Sequence, residues 1–112
     1  MLATVGFTDD RPAGRLGISV SGRLVASACA HFGVTVDELR SQRRHGPISR
    51  ARWAIAHVLI DRVGWSYPRA ARLLDKDHSS LIYGVREAEK LLREDESFYN
   101  LYEAIRNDAG IP

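Results

Sequence analysis

The 112-residue chain carries 16 Lys plus Arg against 14 Asp plus Glu, is 45% hydrophobic and 27% charged, and has one cysteine. That is the length and composition of one globular domain, neither disordered nor large enough for an ATPase module with anything appended. Lone Cys29 excludes an internal disulfide and a cysteine-built zinc site, no apolar run approaches a membrane span, and the start lacks the order of a secretory signal, so a cytoplasmic protein is expected.

Residues 1–20 mix Gly6, Gly14, Gly17, Pro12, Asp9 and Asp10 without a sustained period and read as a flexible leader. Residues 21–108 read as the folded domain, helical throughout. Leu24, Val25, Ala28, Cys29 and Phe32 form one stripe, ended by Gly33. Thr35 to Glu38 is a capping box opening a short helix with Leu39 inward. Arg40 to Pro47 reads as a charged connection. A long helix follows from about Ser49 to Val63, with Ala51, Ile55, Val58, Leu59 and Val63 inward and Gly64 at its end. Ser66 caps a fourth helix with Pro68 in its first turn, and its inward residues are Tyr67, Ala70, Ala71 and Leu74. The polar turn Asp75-Lys76-Asp77 leads to a fifth helix striped by Leu81, Val85, Ala88 and Leu92. The pattern breaks near Asp95, and Phe98, Leu101, Tyr102 and Ile105 mark a last helix. No convincing strand is visible. The expected fold is all-α, about six helices with a central helix-turn-helix, of the Trp repressor-like type.

Charge is uneven. From Arg40 to Lys76 there are nine basic residues against Asp61 and Asp75, whereas from Glu87 to Asp108 seven acids face Lys90, Arg93 and Arg106. A basic middle beside an acidic tail suggests one face for a polyanion and another for water or a partner. The fourth and fifth helices have the spacing of a helix-turn-helix, whose second helix enters the major groove by its N-terminal turn. That turn is Asp77-His78-Ser79-Ser80, short polar side chains suited to base edges. Asp77 or Ser79 could simply be an N-cap. Arg43 and Arg44, then Arg50 and Arg52, place cations at the start of a helix, where the dipole disfavours them, unless phosphate lies nearby. A solvated charge run is the alternative. His57 and Asp61 stand at i, i+4 but are too few for a metal site and fit a surface ion pair. No nucleophile, base and oxyanion set is evident, nor a Gly-rich phosphate loop, so neither an enzyme nor a cofactor or metal is expected. Trp53, Trp65, Phe98, Tyr99 and Tyr102 read as packing residues, and Cys29 as an inert thiol.

From about Arg23 to Ile105 the residues resemble a known family. Val34 to Arg44, Ile48 to Leu59, Trp65 to Leu74 and Asp75 to Leu92, in that order, are similar to the C-terminal DNA-binding domain (domain IV) of the bacterial replication initiator DnaA. The resemblance implies that Arg44 enters a minor groove, that Arg52 also contacts DNA, and that Asp77, His78, Ser79 and Ser80 read base edges. With Arg43, Arg50 and Lys76 these complete the candidate DNA-binding set. Departures are visible. The family's RPRQ is Arg50-Ala51-Arg52-Trp53, its Gly-containing turn is Asp75-Lys76, its DHTT is DHSS, and Ile60 stands where a phosphate-contacting Lys is common. They bear on which sequence is read more than on whether DNA is bound. With only a leader ahead of it and no ATPase, a free-standing domain is expected, binding double-stranded DNA at the nucleoid, with initiator-box-like sites as candidates, and regulating replication initiation or transcription. The alternative is an adaptor that keeps the fold and binds a protein partner through the acidic last helix.

Overall fold

The computed structural model describes residues 12–13 and 18–112. Strand β1 (Pro12–Ala13) pairs antiparallel with β2 (Ile18–Ser19), Pro12 opposite Ser19. Two-residue strands are too short to show an alternation, so period analysis could not find them. The rest of the expected leader, residues 1–11 and 14–17, lies outside the described residues.

Helix α1 (Val20–Phe32) starts where Ser19 accepts a hydrogen bond from the Gly22 N–H at 3.0 Å and stops at Gly33, whose φ of 71° only glycine adopts readily. Helix α2 (Val36–Arg40) has the expected capping box. The Glu38 N–H donates to Thr35 Oγ1 at 3.0 Å and the Thr35 N–H donates to Glu38 Oε1 at 2.9 Å.

Helix α3 (Gly46–His57) begins earlier than expected, because Pro47 sits in its first turn, where a missing N–H is harmless. The charged connection is correspondingly shorter. Arg50 and Arg52 therefore lie in the second turn, and the argument from an unfavourable dipole does not apply to them. The helix runs straight on as a π-helical stretch, Val58–Val63, which ends at Gly64 with φ 92°. Ala51, Ala54, Ile55, Val58 and Leu59 are all fully buried. An element apolar on nearly every side belongs at the centre, and α3 packs against α1, α2 and α5.

Helix α4 (Tyr67–Leu74) is capped by Ser66 and carries Pro68 in its first turn. It closes in a Schellman arrangement: Asp75 is left-handed at φ 56°, and the Lys76 N–H reaches the Ala71 carbonyl at 2.9 Å. Helix α5 (His78–Glu94) follows, and α4 and α5 pack together as the expected helix-turn-helix. Asp95 joins α5 to α6 (Glu96–Asp108) without a loop. Its N–H donates to the Leu91 carbonyl at 2.8 Å while its side chain accepts from the Phe98 N–H at 3.0 Å. Helix α6 lies on α1, and Ala109 and Ile111 are buried, so the core continues past residue 108. Among the described residues the domain is six α-helices, as the periodicity predicts.

Candidate nucleic-acid interface

The turn between α4 and α5 and the loop between α2 and α3 meet on one side of α3. The first element of the site is the start of α5. Asp77 is its N-cap, with Oδ1 accepting from the Ser80 N–H at 2.7 Å. That bond and the Ser80 hydroxyl hold its carboxyl below the ordinary carboxylate range. Capping and base contact are compatible here, because the carboxylate remains exposed. His78, Ser79 and Ser80 are exposed too. His78 is not loose: its ring stacks on Tyr67, centroids 5.7 Å apart and planes 28° apart.

The second element is the loop of residues 41–45, and it is held from below by Arg52. This side chain is 9% exposed. Its Nε donates to the Leu39 carbonyl at 2.8 Å, Nη1 to Arg43 at 2.5 Å, and Nη2 to Glu38 and Ser41 at 2.8 and 2.7 Å. Lys76 reaches the same loop from the helix-turn-helix. Its Nζ donates to the Ser41 carbonyl at 2.6 Å and to Asp75 at 3.2 Å. The Ser41 carbonyl thus joins both cations. Burial and neighbouring positive charge, Arg44 on Arg52 and Arg52 on Lys76, push both groups below their usual pKa. Mutual repulsion of this kind is relieved by an approaching anion.

Arg44 is exposed on the loop, with no hydrogen bond or ion pair among the described residues. Arg43 is exposed and pairs with Glu38 at 3.3 Å. Arg50 pairs with Asp95 at 3.1 Å, at the opposite end of α5 from Asp77. A groove of about 850 Å³ gathers Arg44, Arg52, Lys76, Asp77, Ser79 and Ser80. Arg43, Arg50 and His78 do not line it. Sequence reasoning passed over Gln42, Ser49, Tyr83 and Gly84, which do, and placed Trp53 in the packing. A glycine inside a helical stripe was the available signal for Gly84, since it marks a close approach. Arg52's inward direction was also legible: it lies four residues after Ile48 and three before Ile55, both buried.

The acidic last helix is largely occupied with folding. Glu103 is held by Arg106, and Asp108 accepts from the Ser27 hydroxyl at 2.7 Å with His31 Nε2 at 3.0 Å. No described helix is long and apolar enough to cross a membrane, and no group of three or more His, Cys, Asp or Glu among the described residues could hold a metal ion.

A short helix and a longer one joined at a three-residue turn, the second opening on exposed polar side chains beside a basic loop, define a helix-turn-helix domain. The chain belongs to the family described as the bacterial DnaA protein helix-turn-helix, which matches residues 23–87. Among its relatives are chromosomal replication initiator proteins DnaA. That of Geobacter sulfurreducens is 32% identical over 77 residues, 68% of this chain and 17% of the relative. That of Mycoplasma pneumoniae is 22% identical over 78 residues, 70% and 18% of the two chains. The protein of Clavibacter michiganensis subsp. michiganensis is 26% identical over 78 residues, 69% and 16%. The chain therefore spans less than a fifth of the length of these relatives, and the matched part is the helix-turn-helix.

Proposed function

We propose that this domain binds double-stranded DNA in a sequence-specific manner and regulates replication initiation or transcription without hydrolysing ATP. Arg44 enters a minor groove, drawn by its negative potential, while Asp77, His78, Ser79 and Ser80 face the base edges of the adjacent major groove. Arg43 supplies phosphate contact. Arg52 and Lys76 act from beneath, as the struts of the loop, and Arg50 belongs to the α5–α6 corner. The observation that carries this reading is the groove itself: Arg44, exposed and with no ion pair among the described residues, lines it together with the start of α5, Arg52, Lys76 and the serine hydroxyls.

The test is a gel shift on random duplex DNA across a range of salt, followed by selection of bound duplexes from the pool. A steep fall of affinity with salt and an enriched sequence are expected. Salt-independent or absent binding would overturn the reading, and the adaptor would take its place. Calorimetric titration with ATP and magnesium should give no saturable heat.

A further inference from the structure

Resting on the proposed function, the lining of the groove bears on which chemical feature of a base pair it reads. Three large hydrophobic side chains among the described residues are exposed, Val36, Tyr83 and Tyr99, and of these only Tyr83 lines the groove. Tyr83 is 58% exposed. It lies four residues after Ser79 and three after Ser80, so the helical repeat sets all three on one side of α5. Its ring stands edge-on to Trp53, centroids 6.0 Å apart and planes at 75°. Trp53 is in turn seated on Gly84, where a Cβ would come within 2.7 Å of Trp53 Cδ1. The absent side chain at 84 thus lets the indole close against α5 and back the tyrosine.

The groove has two kinds of wall. Ser79 and Ser80 offer hydroxyls, which hydrogen-bond but present no methyl. Tyr83 and Trp53 offer aromatic surface that water wets at a loss. On a base pair in the major groove, the apolar feature is the C5-methyl group of a pyrimidine. We propose that Tyr83, backed by Trp53, is a contact site for such a methyl group, one helical turn along α5 from the serines.

Thymine and 5-methylcytosine both carry this group, and the experiment separates them. Duplexes selected by the wild-type protein from a random pool are remade with deoxyuridine for thymidine, and separately with 5-methyldeoxycytidine for deoxycytidine. If the methyl is thymine's, wild-type affinity falls about fourfold on the deoxyuridine duplex, the equivalent of one buried methyl group. If it is that of 5-methylcytosine, affinity rises about fourfold on the methylated duplex instead. Tyr83→Ala should erase whichever ratio is found, and Tyr83→Phe should keep it, since the ring and not the hydroxyl is required. Equal wild-type affinity for all three duplexes overturns the proposal. So does a Tyr83→Ala protein that keeps the ratio, or one that loses affinity equally on all three, which would place Tyr83 on the sugar-phosphate backbone. Failure to select any duplex removes the proposed function and this site together, whereas sequence-specific binding blind to the methyl removes this site alone.

Discussion

Arg44 and Arg52 use the same guanidinium for opposite ends. Arg52 donates to four carbonyls and is nearly inaccessible, while Arg44 is exposed at the groove. Arg44→Ala should therefore leave the thermal transition unchanged and weaken DNA binding by about 1–3 kcal/mol, the scale of one specific contact, read by titration at fixed salt. Arg52→Lys keeps the charge but cannot span four acceptors with one ammonium. It should lower stability by at least about 2 kcal/mol and weaken binding as well. Combined with Arg44→Ala, its binding loss should be less than additive, because both changes act on one loop. His78→Ala should alter the selected sequence more than the overall affinity, since base contacts specify and phosphate contacts position. Equal loss on all sequences would make His78 a backbone contact or a brace for Tyr67.

At the scale of elements, the turn of the helix-turn-helix depends on a left-handed aspartate. Asp75→Ala should cost about 1 kcal/mol in chemical denaturation, and Asp75→Gly should be close to neutral, as alanine tolerates that conformation less well than aspartate or glycine. Gly84→Ala should destabilise by about 1–3 kcal/mol through the clash with Trp53. Most helix ends were legible because each carries its own chemistry: Gly33, the Thr35–Glu38 box, Gly64, Ser66 and the Asp75–Asp77 turn. The true start of α3 was not, because Pro47 suits a connection and a first turn equally. The π-helical stretch was not either, because its i→i+5 bonding leaves the apolar stripe of Val58, Leu59 and Val63 readable as an α-helix. In the site, residue type revealed the clusters around Arg44 and Asp77 but not which arginine of α3 faces inward. That depended on placing Arg52 against Ile48 and Ile55. The aromatic wall was hidden by the ordinary expectation that aromatics pack.

Across the whole molecule, α3, α5 and α6 meet around His57, which is buried and not in the surface ion pair that its spacing from Asp61 suggests. His57 Nδ1 lies 2.7 Å from the Tyr102 hydroxyl, and Nε2 is 3.8 Å from Glu89. Burial lowers its pKa from the ordinary 6.5, more than Asp61 and Glu89 raise it, and Arg62 adds to the lowering. The unfolded chain therefore binds the proton more readily than the fold does. Stability is fully present above about pH 6.5 and falls as the pH drops toward the lowered folded value. Thermal melts between pH 7.5 and 5 should show this decline, and His57→Gln should flatten it. The capping aspartates Asp77 and Asp95, whose carboxyls are held low, add stability at neutral pH that is lost only in more acidic solution.

The Ser41 carbonyl, bonded at once by Arg52 and Lys76, has a consequence for the DNA. It ties the arginine loop to the start of α5, so on the proposed function the protein should act as a caliper of fixed gauge rather than two fingers on a string. Duplex DNA turns by roughly 35° per base pair. Inserting one base pair between the two halves of a selected site would swing one half out of phase with the other. The caliper cannot follow, and affinity should collapse to the non-specific level. Cutting one arm of the tie with Lys76→Met should let the altered spacing bind again, weakly.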